Sequence, residues 1–307
     1  MWDIRYGASC SRRVLAGCAG FNADTPAPHH TTSGVVVPTS ADQQTLMAYY
    51  AGYQKNALAR GLMRTDGGHD DMPTDMNVII QHFERVAFYD EYVPGAGYQK
   101  SRTQSTLAKW HVPIVYHVFY GNSVTTDLQR QSALEIDGFW RQLSDLTGHS
   151  IRSGPANRAN FSVILAGTDD QSDVLDYVAS QLPNAHDQAH EIIKTMPRDV
   201  HCLVMALSNG LDRSYSKAIA VIRAEHPAQQ RLACIHEELA QGLGLAADDD
   251  TVRPSIFNDD DEFATLTAMD QVMLKILYDP RLKSGMTLDQ ARPILTQIGD
   301  DLSRPHS

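Results

Sequence analysis

Apolar residues recur along the chain with two different periods, and the switches between them lay out most of its elements. From Ala41 to Arg64 the positions Leu46, Tyr49, Tyr50, Tyr53, Ala57 and Leu58 keep a spacing close to 3.6, which predicts a helix. Thr65 to Asp75 is rich in breakers and predicts a loop. Met76 to Phe88 returns to the helical pattern, with Thr74 or Asp75 as its N-cap. Trp110 to Tyr120 changes period: Val112, Ile114, Tyr116, Val118 and Tyr120 alternate with His111, Val115, His117 and Phe119, and Gly121-Asn122 ends the run. This is the clearest strand in the sequence. Leu128 to Leu146 is a long amphipathic helix through Leu134, Phe139, Trp140, Leu143 and Leu146.

Further on, Phe161 to Leu165, Val200 to Ala206 and Lys217 to Arg223 are short apolar strands. Helices over Ser172 to Leu182 and Asp187 to Lys194 are inserted before the second of these. Arg231 to Leu245 and Leu266 to Tyr278 are helical, and Leu288 to Ile298, interrupted by Pro293, is a terminal helix pair or a kinked helix. Strands alternating with helices predict an α+β fold, a mixed β-sheet covered by long helices.

Composition narrows the function classes. At 307 residues with 42% hydrophobic content, the chain can build a sizeable core. A net charge of -11 argues against nucleic acid and anionic membrane surfaces as partners, since both select basic patches. No apolar run approaches the length of a membrane-spanning helix. A Gly-x-Ser-x-Gly elbow, a phosphate-cradling glycine loop and a Cys-x-x-Cys pair are all missing from the sequence.

The richest stretch is Cys234-Ile235-His236-Glu237-Glu238-Leu239-Ala240-Gln241-Gly242-Leu243-Gly244-Leu245. It resembles the active-site helix of metzincins, whose His-Glu-x-x-His-x-x-Gly-x-x-His places imidazoles one turn apart with a glutamate base between them. Counting from His236 puts Ala240, which cannot bind metal, at the second ligand position. Counting back from Gly244 fits better: Glu237 stands at the first histidine, Glu238 at the general base, Gln241 at the second histidine and Ala247 at the third. Leu266 to Tyr278 is similar to the last helix of matrixin-like metzincins, and Ile256 in Ser255-Ile256-Phe257-Asn258 stands where that fold has its Met-turn methionine. The resemblance covers roughly Trp110 to Arg292 and implies a metzincin-like, or zincin-like, domain whose ligands have been replaced.

A second resemblance is to a domain-of-unknown-function family of proteobacterial lipoproteins. It rests on the motif helix from Glu237 to Leu245, on Ser255 to Asp259, on Leu277-Tyr278-Asp279-Pro280-Arg281-Leu282-Lys283-Ser284-Gly285-Met286, and on Arg64-Thr65-Asp66 and Phe83 to Tyr92 upstream. It implies export and supplies no reaction. Leu15-Ala16-Gly17-Cys18 matches a lipobox with Cys18 as the lipidation site, although the apolar core expected before such a box is missing. The expected organisation is an export and tether region over 1–40, an N-terminal helical extension over 41–107 packed outside the domain, and the metzincin-like domain over 108–307.

Of the four cysteines, Cys10, Cys18, Cys202 and Cys234, the last two can form a disulfide in an oxidising compartment; the alternative is two separate buried thiols. Glu237 and Gln241 are hard oxygen ligands on one helix face, suited to calcium or magnesium more than zinc, and Glu238 is the candidate general base. His236 is a surface or capping histidine before it is a ligand, and a zinc site shared with His111, His117 or His201 stays open. The acidic runs Asp248-Asp249-Asp250 and Asn258 to Glu262 lack the EF-hand spacing. The expected protein therefore carries no cofactor, with zinc and then calcium as alternatives. It sits in the bacterial envelope or periplasm, touches the membrane only through its lipid anchor, and binds a peptide or envelope protein in a non-catalytic cleft. The competing reading is a metallopeptidase-like hydrolase that uses Glu238.

Overall fold

The computed structural model describes residues 3–10, 39–92, 100–183, 185–208 and 212–304. Its strands are β1 (Asp3–Cys10), β2 (Tyr89–Tyr92), β3 (Lys100–Gln104), β4 (Lys109–Trp110), β5 (Ile114–Tyr120), β6 (Ile151–Ser153), β7 (Phe161–Ala166), β8 (Val200–Ser208) and β9 (Ser214–Arg223). Its α-helices are α1 (Ala41–Ala59), α2 (Met76–Ala87), α3 (Thr126–Thr147), α4 (Gln171–Gln181), α5 (His186–Lys194), α6 (Ala228–Gln241), α7 (Ala268–Tyr278) and α8 (Leu288–Ser303).

A seven-stranded mixed sheet runs β1-β8-β9-β7-β5-β6, with β4 added beside β9. Strands β5, β6, β7 and β9 are parallel, whereas β8 is antiparallel to β9 and β1 is antiparallel to β8. β2 and β3 form a separate hairpin. Every residue of β7 and β8 is buried, because helices cover both faces of the sheet. Alternation sorts the side chains of β8. Cys202, Val204 and Ala206 join the principal core with α3, α6 and α7, while Leu203, Met205 and Leu207 join a second core under α4 and α5.

Caps mark several helix starts. Ser40, Asp75 and Thr125 accept from the backbone amides of Gln43, Asn77 and Leu128, and Thr267 and Thr287 head full capping boxes with Asp270 and Gln290.

Several expectations need correction. The Trp110 strand is two strands. Val112 is half exposed, Pro113 has no N–H to give a ladder, and the chain crosses there from β4 beside β9 to β5 between β6 and β7. The two N-terminal helices do not form an outer layer together. α2 buries Ile79, Phe83, Val86 and Ala87 in the principal core, against α7 and α8. α1 crosses the end of the sheet, where the Tyr50 hydroxyl donates to the Arg198 carbonyl at 2.9 Å. Residues 3–10, expected within an export region, pair along β8 as β1. Of the helix pair and the kinked helix expected at the C-terminal segment, the pair is set aside: α8 is one helix with Pro293 inside it. Cys18 lies outside the described residues.

Candidate functional site

The site is organised by α6, whose inner face is polar at positions the core leaves no room to solvate. Glu237 is 7% exposed, Glu238 0% and Gln241 1%. One turn before them Cys234 meets Cys202 of β8 in a disulfide, with Cα atoms 5.8 Å apart. The bond ties the motif helix to the antiparallel strand, as the oxidising-compartment reading expects.

The chain leaves α6 through a turn that three neighbours hold. The Trp110 indole donates to the Gly242 carbonyl at 2.8 Å, and the Tyr278 hydroxyl donates to the Leu243 carbonyl at 3.1 Å. Gly244 sits at φ +130°, and a Cβ there would stand 2.3 Å from the Ala108 carbonyl oxygen, so the position requires glycine. The glycine of Leu243-Gly244-Leu245 is thus explained by the close approach of Ala108, which leads into β4.

Donor atoms of Glu237, Glu238 and Cys202 lie within 4.8 Å of one another. Among the described residues this is the one group of three or more potential metal-ligating side chains, and it contains no histidine. Gln241 is turned to another use: its amide donates to Asp248 at 2.8 Å. Ala247, at the third ligand position, is packed in the core with its N–H on the Val86 carbonyl at 3.1 Å. His236 is half-buried. It stacks on Phe139 with ring centroids 3.9 Å apart, its Nδ1 accepts from the Leu266 N–H at 3.1 Å, and burial pushes its pKa down to about 3. The ring is therefore neutral at ordinary pH and is committed to packing.

The zinc centre implied by the metzincin resemblance does not fit these residues. A sulfur held in a disulfide is not a thiolate, the Cys202 group brings no imidazole, and Gln241 is engaged elsewhere. The other candidate histidines are dispersed: His111 pairs with Ser284 at 3.0 Å, and His117 Nδ1 pairs with the Gly154 carbonyl at 3.1 Å. The acidic runs serve as ties. Asp249 accepts from Arg85 at 3.1 Å and also pairs with Arg102. Glu262 binds Arg64 and Arg253, and Asp261 accepts from the Tyr53 hydroxyl.

Two features escaped the sequence reading. Asp270 of α7 is fully buried and accepts from Ser255 Oγ at 2.6 Å and from the amides of Thr267 and Ile256 at 2.9 and 3.1 Å. It thereby locks the loop where the Met-turn would lie. Ile256 occupies that loop and is itself buried. The Thr267-x-x-Asp270 spacing was a readable signal for this node.

The second feature is a buried polar cluster beside the disulfide. Gln230 donates to His201 Nδ1 at 3.0 Å, and His226 Nε2 pairs with the His201 carbonyl at 2.8 Å. Tyr50 and Tyr53 pack edge-on to these rings. Desolvation pushes the pKa of His201 down to about 4 and that of His226 well below its ordinary value. His201, Gln230, Cys234, Glu237, Asn258 and Asp261 line a cavity of about 20 Å³, room for about one water. Among the described residues, His201 Nε2 and Gln230 Oε1 have no hydrogen-bond partner.

No curated protein and no solved structure matches the chain. A family model described as "Protein of unknown function (DUF2927)" matches residues 77–297, which begin within α2 and end within α8. That span covers more than half of the sequence, so the chain belongs to this family of unknown function.

Proposed function

We propose that this is an exported envelope protein whose domain keeps a zinc-peptidase-like scaffold without its catalysis and binds a peptide or protein partner. The carrying observation is how the ligand positions of α6 are used. Glu237 and Glu238 lie against a disulfide sulfur, Gln241 is bonded to Asp248, and Ala247 is in the core. Each replacement removes an imidazole, and none leaves an open coordination position for a water that Glu238 would deprotonate. The order of elements also supports the scaffold: β4, α3, β7 and α6 contribute to one core.

The competing reading is a hydrolase in which Glu238 takes a proton from water. Its burial at 0% exposure, walled by core residues, argues against substrate reaching it. The experiment is metal analysis of the purified, disulfide-bonded protein together with peptide hydrolysis by the wild type and by Glu238→Gln. The proposal expects no stoichiometric zinc and no hydrolysis that depends on Glu238. Near-equimolar zinc, with hydrolysis lost in the variant, overturns it.

A further inference from the structure

We infer that the cavity at the carboxyl ends of β7 and β9 binds a small organic anion, an oxyanion head carried on an apolar body. The two strands are parallel neighbours, paired from Phe161 and Ala218 to Ala166 and Arg223. The chain leaves them toward opposite faces of the sheet. After β7 it enters α4, whose Val174 and Val178 pack in the second core. After β9 it enters α6, whose Ile235 and Leu239 pack in the principal core. Connections that part in this way leave a crevice between the strand ends, which is where open α/β sheets take their ligands. The inference uses no residue of α6, so it stands or falls apart from the reading of Glu238.

A cavity of about 320 Å³ occupies that crevice, at the lower end of the range for small-ligand sites. Ala166 and Val221 of the strands, Val174 of α4, Ile193 of α5 and Leu46 of α1 give it an apolar lining. Arg223 follows Val221 by two residues in β9, so both stand on the same face of the sheet. The last residue of a buried strand thus brings a guanidinium to the edge of an apolar pocket.

Charge is an independent observation. Lys194, Arg198 and Arg223 line the cavity and no carboxylate does, in a chain whose net charge is -11. Among the described residues, none of these three cations forms an ion pair. Arg223 is set in place beforehand: its Nε donates to the Val200 carbonyl at 3.3 Å, and its Nη2 to the carbonyls of Met196 and Pro197, both at 3.0 Å. None of these bonds uses Nη1. Arg198 lies over the Tyr49 ring, 4.9 Å from its centroid. The acids that flank the lining in sequence are engaged elsewhere. Glu225 accepts from the Thr168 amide at 2.6 Å and hydroxyl at 2.8 Å, Asp169 from the Ser40 amide at 2.8 Å, and Asp170 from the Ser123 amide at 2.8 Å. Asp199 acts on Tyr50 and His201.

These two halves select the ligand together. Guanidinium groups match the oxygens of a carboxylate or a phosphate, and a lysine adds a point charge beside them. The apolar lining gains only from burying hydrocarbon. An inorganic anion would leave that lining wet, and a neutral hydrocarbon would leave three cations unanswered. A carboxylate or phosphate joined to a short apolar chain satisfies both.

The test titrates the full chain by calorimetry with octanoate and octyl phosphate. Octanamide serves as the body without the charge, and acetate and inorganic phosphate as the head without the body. Methyl signals of Leu46, Val174 and Ile193 are followed by NMR. The expected result is one-to-one binding of octanoate or octyl phosphate with a Kd of about 1 mM or tighter, and about tenfold or more weaker binding of every control. The tighter of the two acids identifies the head group. Saturation should shift the three methyl signals. Arg223→Gln should weaken binding by about tenfold or more. Arg223 also holds the turn before β8, so a second variant avoids that role: Lys194 and Arg198 are exposed, and Lys194→Gln/Arg198→Gln should keep the circular dichroism while weakening binding about fivefold or more. Binding of neither acid, equal binding of octanamide, an affinity unmoved in the double variant, or shifts confined to other methyl groups would each overturn the inference.

Discussion

Helices α6 and α7 contribute to the same core, and each carries a carboxylate with 0% exposure, Glu238 on one and Asp270 on the other. Their surroundings differ in kind. Asp270 is surrounded by donors from its own N-cap and from the loop at Ser255 and Ile256, so its charge is spent on holding backbone in place. Glu238 has a second carboxylate and a disulfide sulfur beside it. A buried acid whose partners are neighbouring amides is a structural node.

Removing either side chain probes that contrast. Asp270→Ala strips the acceptor from three buried donors, each worth about 1–3 kcal/mol when left unpaired, so a loss of about 4 kcal/mol in chemical denaturation is expected. A loss below about 1 kcal/mol would show that the node is not one. Glu238→Gln, which removes a charge without changing shape, should cost far less or even stabilise, and near-equal losses in the two variants would erase the distinction.

The pH dependence of stability separates the regions next. Burial raises the Asp270 pKa to about 6 from 3.8, so the folded chain holds that proton more tightly than the unfolded one. Its stabilising contribution is complete below about 3.8 and is lost as pH rises through about 6. His236 and His201 run the other way. Their pKa values are lowered from 6.5 to about 3 and about 4, so their contribution is complete above 6.5 and is lost as pH falls through those values. His226 shifts in the same direction, so the histidines outnumber Asp270 and stability should fall as the medium is acidified below 6.5. His236→Gln keeps an acceptor for the Leu266 amide and removes one titration. Denaturation at a series of pH values should then show the slope between about pH 4 and 6 reduced by one proton, about 1.4 kcal/mol per pH unit. An unchanged slope would mean that the ring is not buried as described.

The smallest effect belongs to Gln241. Its amide bond to Asp248 is offset by an Oε1 that lacks a partner, so Gln241→Leu should change stability by less than about 1 kcal/mol. A loss of about 3 kcal/mol would assign this residue a structural weight comparable to Asp270.

Much of the fold was legible in the sequence. The 3.6-residue spacing of α1, α2 and α3 and the apolar runs of β7, β8 and β9 place those elements within a few residues of their ends. The errors have local causes. Period two runs unbroken through Val112-Pro113, and only the missing proline N–H marks the crossing from one side of the sheet to the other. The membership of α2 in the principal core depends on α7 and α8, which lie some two hundred residues downstream. At the site, the Glu237, Glu238 and Cys234 positions were readable because they sit within two turns of one helix. The histidine cluster was not, since His201 and His226 come from the start of β8 and the approach to α6 and meet only after the sheet is assembled. His236 read as a surface residue because no short-range pattern announces the Phe139 ring across the helix pair.

The tie between β8 and α6 turns on whether Cys202 and Cys234 are bonded to each other. Alkylation of the protein denatured without reductant, followed by peptide mass mapping, reads this directly. The structure predicts a cross-linked pair of peptides carrying Cys202 and Cys234, with neither residue alkylated until reductant is added. Both thiols alkylated in protein taken from an oxidising compartment would contradict it.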